Sequence, residues 1–269
     1  MTRRFLITAL SLVAMVSAAH AGGVVLNEYN AVAGSERLSG ADTFFGSVDG
    51  NGGDWIELVV VDDHLDMRGW ALNWADGDGD AGVILLSDDA FWSNMRRGTL
   101  ITIIEEADGG GAGLDTSTDT RFNPAGGDWW VNICTTQEQA LHDAGGDWLT
   151  RTDDAGRFKV NDSDWALTIL NGAAVVFGPA GEGALTWPGD GVNDREAGKL
   201  EGPAGPASLA DWLAVTPASA YYDDGDSSTF GAPNTWGGGV QDLTALRVPE
   251  PAAIALLAGG AVLLRRRRT

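Results

Sequence analysis

Eight short runs of aliphatic, β-branched and aromatic residues recur along this chain between clusters of glycine, aspartate and asparagine. They are Val24 to Tyr29, Trp55 to Val61, Trp70 to Trp74, Val83 to Leu86, Leu100 to Ile104, Trp129 to Ile133, Trp165 to Leu170 and Ala174 to Phe177. Such runs are too short for ordinary helices, and their composition suits a pleated surface joined by tight turns. Alternation in Thr99 to Ile103 and in Trp165 to Leu170 predicts strands with one face in a core. Helical signals are confined to Ser87-Asp88-Asp89 leading toward Met95, a Thr135-x-x-Glu138 capping box, and Leu209 to Leu213. Gly-Gly-Asp precedes tryptophan at Trp55, Trp129 and Trp148 with unequal spacing, which reads as a turn delivering an aromatic strand and not as a solenoid repeat. The pattern predicts an all-β sandwich with short helices.

The two ends have a different character. Arg3 and Arg4 precede an apolar stretch from Phe5 to Val16, and Ala19-His20-Ala21 supplies a small-x-small site before Gly22, the pattern of a secretory signal peptide. At the other end Pro249-Glu250-Pro251 precedes an apolar run from Ala252 to Leu264 and the block Arg265, Arg266, Arg267 and Arg268. As a helix that run spans roughly 20 Å, against a hydrocarbon core of roughly 30 Å, which favours transient membrane contact over a permanent span. The tripartite order resembles the PEP-CTERM sorting signal. The resemblance implies an exosortase-like processing enzyme acting after signal peptidase, with cleavage near Pro-Glu-Pro and delivery to the cell surface or extracellular matrix. The expected layout is a signal peptide over 1–21, a sandwich over 22–236, a flexible stalk over 237–248, with a final strand from Val240 to Leu246 as the alternative, and the sorting signal over 249–269.

The net charge of −21 understates the acidity of the middle, because the two ends hold six of the seventeen basic residues. Such a surface repels phosphate backbones and excludes nucleic acid as a natural partner, while favouring divalent cations or basic partners. Cys134 is the only cysteine, so no intramolecular disulfide forms and stability must come from packing, hydrogen bonds or metal. Its place at the end of Trp130-Val131-Asn132-Ile133 predicts a buried, inert thiol.

Val25-Leu26-Asn27-Glu28-Tyr29, Asp54-Trp55-Ile56-Glu57-Leu58, and Leu65-Asp66-Met67-Arg68-Gly69-Trp70-Ala71-Leu72 succeed one another, with Gly98 to Ile103 and Ser227-Ser228-Thr229-Phe230-Gly231-Ala232-Pro233-Asn234 further on. This succession resembles the lamin-tail domain family. The resemblance implies an immunoglobulin-like β-sandwich from about Gly23 to Asn234. The long stretch between Ile104 and the closing motif requires extra strands or an insertion beyond a compact sandwich of roughly 100 residues. Glu28 and Glu57 lie in apolar strands and are expected to bond loop backbone amides at the sandwich edge, with a catalytic carboxylate pair as the alternative.

No nucleophile-elbow, zincin, phosphate-loop or paired-cysteine pattern is present, and His64 reads as a solvated turn residue. Asp76, Asp78 and Asp80 alternate through a glycine-flexed loop as calcium ligands do, although Ala81 and Ser87 occupy positions where an EF-hand needs glycine and glutamate. A plain hairpin is the alternative. Among eleven tryptophans, Trp187 and Trp236 fall in loops and are candidates for stacking on carbohydrate. Together these features predict a non-enzymatic exported surface or matrix protein, structural or adhesive, associated with exopolysaccharide. A calcium-dependent adhesive module and a matrix polysaccharide hydrolase are the alternatives.

Overall fold

The computed structural model describes residues 22–138, 148–153, 158–185, 187–188, 191–201 and 205–247. In chain order the strands are β1 (Val24–Asn30), β2 (Ala41–Asp42), β3 (Trp55–Val60), β4 (Trp70–Ala75), β5 (Ala81–Leu86), β6 (Leu100–Ile104), β7 (Trp130–Cys134) and β8 (Leu149–Asp153). They continue as β9 (Ala166–Asn171), β10 (Ala174–Ala180), β11 (Ala197–Leu200), β12 (Tyr222–Gly225), β13 (Ser227–Ser228), β14 (Thr235–Trp236) and β15 (Gly239–Val240). All eight predicted runs form strands. One sheet has the order β12-β11-β1-β3-β6-β7 and the other β10-β9-β4-β5-β8, with two small pairs, β2 with β13 and β14 with β15. The chain is an all-β sandwich.

The stretch after Ile104 forms no separate body among the described residues. Its strands extend both layers: β7, β11 and β12 join the first sheet, while β8, β9 and β10 join the second. The extra strands therefore account for the length that a compact sandwich could not hold. β7 is parallel to β6, whereas the other pairings within the two large sheets are antiparallel.

The expected alternation holds in β9 but fails in β6, where all five residues are buried; β4 also alternates. β1 and β3 are buried throughout as well. Over β3 and β6 the cause is a second apolar cluster on the far side of the first sheet, built from Phe45, Trp55, Ile104, Cys134 and Phe230, and over β1 it is the segment whose Thr229 amide bonds Glu28. A sheet covered on both faces has no solvent side to alternate toward. Cys134 sits in this cluster, fully buried, its thiol 3.4 Å from the Glu105 carbonyl oxygen.

The Leu209–Leu213 helix forms as predicted, with Ser208 and Asp211 closing a capping box. At Ser87-Asp88-Asp89 a 3-10 turn replaces the expected α-helix: Asp89 caps Ala90–Asn94 by accepting from the Phe91 amide. No helix among the described residues is long and apolar enough to cross a membrane.

The expected stalk is corrected by the structure. After the β14–β15 hairpin, Gln241, Leu243 and Leu246 are buried. Gln241 Nε2 donates to Asn27 Oδ1 at 2.7 Å, Trp212 Nε1 donates to the Asp242 carbonyl at 3.3 Å, and Arg97 Nε donates to the Leu246 carbonyl at 2.9 Å. Arg247 Nε in turn donates to the Gly98 carbonyl at 3.0 Å, and its guanidinium lies over the Trp129 ring. The strand that Val240 to Leu246 could have added does not form beyond Val240, and two leucines are too few to establish a period, so the packing of this segment was not readable from pattern.

Candidate functional site

The closing segment 227–234 is seated on the outer face of the first sheet by a buried polar cluster. Glu28 and Glu57 are cross-strand partners on β1 and β3, neighbours in the sheet interior and not at its edge as the sequence suggested. Their expected role is what the structure shows. Glu28 accepts from the Thr229 amide at 3.2 Å, and Glu57 accepts from the Gly231 amide at 2.8 Å and from Asn27 Nδ2 at 2.6 Å. Burial pushes the Glu28 carboxyl up to about 8, with Lys199 opposing and Asp42 reinforcing the shift. Burial and the neighbouring Glu28 push Glu57 well above the ordinary carboxylate range. Both oxygens of each carboxyl are occupied away from solvent, an arrangement suited to holding a loop and unsuited to proton transfer with a substrate.

Asp42 ties two parts of the chain together. Its Oδ1 accepts from the Phe44 and Phe45 amides at 2.6 and 2.9 Å, and its Oδ2 accepts from the Phe230 amide at 3.1 Å and from the Ser228 hydroxyl. This brings Phe44 and Phe230 against Trp130 at the start of β7. Phe44 and Phe230 have ring centroids 5.3 Å apart, and Trp130 meets Phe44 and Phe230 edge-on at 5.9 and 5.8 Å. Trp130 Nε1 donates to Thr102 Oγ1 at 2.9 Å, which fixes the indole, and both Trp130 and Phe44 keep part of their rings open to solvent.

A cavity of about 210 Å³ opens on these three rings, and its other wall is the 115–121 loop. That loop runs along the outer edge of β7 and covers it, which shields backbone groups that would otherwise be free to pair with another chain. The Asp119 amide donates to the Asn132 carbonyl at 2.8 Å, the Cys134 amide donates to Thr118 Oγ1 at 3.1 Å, and Asn132 Nδ2 donates to the Thr116 carbonyl at 2.6 Å. The Thr118 amide donates to Gln137 Oε1 at 2.7 Å. A loop whose backbone groups are so occupied holds one shape before any ligand arrives, which lowers the cost of binding. The wall carries Asp115, Ser117, Asp119, Thr120 and Arg121, and a hydrogen bond from Ser117 holds the Asp115 carboxyl below its ordinary value. Aromatic faces opposite hydroxyl and carboxylate groups can hold a polyhydroxylated ring: C–H faces on the aromatics, hydroxyls on the loop.

A second, acidic hollow of about 340 Å³ is lined by Asp162, Glu182, Glu196 and Asp224. Burial and the adjacent Glu196 push Asp224 up to about 6, and burial also raises Glu182.

The calcium candidates do not converge. Asp76 Oδ1 accepts from the Asp80 amide at 2.9 Å, Asp78 Oδ2 accepts from Asn161 Nδ2 at 3.0 Å, and Asp80 pairs with Lys159. This is the hairpin between β4 and β5, tied to the 159–163 segment, and among the described residues no group of three acids, histidines or cysteines is placed to hold a metal ion. The stacking candidates Trp187 and Trp236 are both half-buried. Trp187 packs on Tyr222 and Tyr29 at 4.5 and 5.8 Å between centroids, and the Trp236 indole rests against Gly205 with its Nε1 buried. Gly22 is exposed, whereas Ala19, Ala21, Pro249, Glu250, Pro251 and Arg265 to Arg268 lie outside the described residues. Sequence reading missed the groove because its rings come from three distant segments. The one local signal was Trp130 beside Trp129, since adjacent strand positions face opposite ways and cannot both enter one core.

No family model matches the chain. No curated protein matches it, and no solved structure does.

Proposed function

We propose that this chain is a non-enzymatic exported protein of the cell surface or extracellular matrix, whose lamin-tail-like, immunoglobulin-like sandwich binds matrix polysaccharide in the groove between Phe44, Trp130 and the 115–121 loop. The observation that carries the reading is the groove itself: half-open aromatic rings face a pre-formed, hydroxyl-bearing loop. The acidic surface favours uncharged glycans over polyanionic ones. Export is supported by the Arg3-Arg4 and apolar leader ending at Ala21, and surface delivery by the Pro249-Glu250-Pro251, apolar and arginine tail. The commitment of both buried glutamates to backbone amides supports a binding role over hydrolysis.

Two measurements test it. Intact mass and terminal sequencing of the protein recovered from its native envelope and medium should give a chain beginning at Gly22 and ending near Pro249 to Pro251; a full-length chain in the cytoplasm would sink the export reading. Tryptophan fluorescence titrated with soluble neutral and anionic polysaccharides should respond to the neutral ones, and the response should be lost in Phe44→Ala. A flat titration across the panel would remove the binding role.

A further inference from the structure

Three consecutive backbone amides of the closing segment end on three different buried carboxyls: Thr229 on Glu28 at 3.2 Å, Phe230 on Asp42 at 3.1 Å and Gly231 on Glu57 at 2.8 Å. The middle residue, Phe230, is the floor of the groove. Where these carboxyls sit therefore decides where the floor sits.

The hydrogens around Thr229 say which form Glu28 takes. Thr229 Oγ1 lies 3.0 Å from Glu28 Oε2 and 3.0 Å from Asn234 Oδ1, yet a hydroxyl has one hydrogen. Asn234 cannot supply the second. Its Nδ2 donates to the Asn27 and Leu200 carbonyls at 3.1 and 3.2 Å, which fixes the atom facing Thr229 as the amide oxygen, and that oxygen also accepts from Asn27 Nδ2 at 3.1 Å. Both contacts are hydrogen bonds only if Glu28 is the donor in one of them. We propose that Glu28 is a neutral carboxylic acid that donates to Thr229, that Thr229 donates to Asn234, and that this relay makes Glu28 a positioning residue for the groove, with ligand binding weakening when Glu28 ionises.

The charged and titratable groups around it are Glu57 on β3, Asp42 on β2 and Lys199 on β11. Lys199 does not discharge the cluster alone: its Nζ donates to the Ser227 and Thr235 carbonyls at 2.9 and 3.1 Å and pairs with Glu201 at 2.9 Å. Ionised Glu28 would draw the Thr229 hydrogen to itself, leave two oxygens facing each other at the Asn234 contact, and add a negative charge beside Asp42 and Glu57. The segment carrying Phe230 then has reason to shift.

The coupling to ligand rests on the polysaccharide reading, whereas the protonation state does not, and the test separates them. In the full chain labelled with ¹³C at glutamate carboxyls, the Glu28 signal is assigned by its loss in Glu28→Gln and followed from acid to alkaline pH. It should hold the neutral-acid position at neutral pH and move near the value of about 8 that burial imposes. A carboxylate signal at neutral pH overturns the proposal. Binding of the same polysaccharide panel is then compared at roughly pH 6 and roughly pH 9. Wild type should lose affinity several-fold at the higher pH, whereas Glu28→Gln, whose amide can both donate and accept, should bind equally at both. Equal wild-type binding at both pH values overturns the coupling. Absence of binding at every pH, with Glu28 neutral, removes the ligand reading and the coupling with it while leaving the buried acid in place. If Glu28→Gln does not fold, the backbone amide signals of 229–231 in the wild type decide: they should shift over the same pH range as a glutamate carboxyl that titrates near pH 8, and their standing still overturns the positioning role.

Discussion

At the scale of single residues, Gly231 and Asp80 mark the two extremes of tolerance. Gly231 has φ of +74°, and a β-carbon there would stand 2.3 Å from Trp130 Cε2. Gly231→Ala is thus expected to strain the backbone and push the indole out of the groove at once. Thermal melts should show a loss of stability of about 1–3 kcal/mol, and the tryptophan fluorescence maximum should move. Asp80→Ala removes an ion pair whose side chains are 40% and 44% exposed, so it should change stability by less than about 1 kcal/mol. The residue scale is also where sequence reading was strongest. Glutamates inside apolar strands imply partners that are hydrogen-bond donors, and the donors are the amides of Thr229 and Gly231. Which donors, and how far along the chain, required the fold, because Thr229 lies 201 residues from Glu28 and Gly231 lies 174 from Glu57.

At the scale of elements, the closing segment and residues 235–247 behave as part of the sandwich. Leu243 and Leu246 are 2% and 1% exposed, so Leu246→Ala should cost about 2–5 kcal/mol, measured by denaturant unfolding. A chain ending after Val240 should lose more than that single change, because it also removes the Gln241 bonds to Asn27 and Leu200. An unchanged midpoint in the shortened chain would restore the stalk reading. Strands were legible wherever β-branched and aromatic residues cluster. β11 (Ala-Gly-Lys-Leu) and β12 (Tyr-Asp-Asp-Gly) were not, since neither composition favours a strand, and only pairing to β1 and to each other makes them so.

At the scale of the whole molecule, charge sets the response to pH and salt. The folded-state Glu28 value of about 8 lies above its ordinary 4.5, and the Asp224 value of about 6 lies above 3.8. The folded chain therefore keeps protons that the unfolded chain has released. That contribution to stability is complete below pH about 4 and is lost as pH rises toward about 8. Melting temperature should consequently be highest in mildly acidic buffer and fall through neutrality, with a shallower fall in Glu28→Gln. A net charge of −21 adds self-repulsion that salt screens, so moderate salt at neutral pH should raise the melting temperature.

Local pattern alone determined the all-β class, the eight principal strands, the burial of Cys134 and the need of the two glutamates in apolar strands for hydrogen-bond donors. Each depends on the chemistry of a residue and its near neighbours. Only the tertiary structure decided that the first sheet is covered on both faces, that the last described residues are packed, and that Phe44, Trp130 and Phe230 form one groove. Strand order and loop closure join segments far apart in the chain, and no spacing between neighbouring residues encodes which of them will meet.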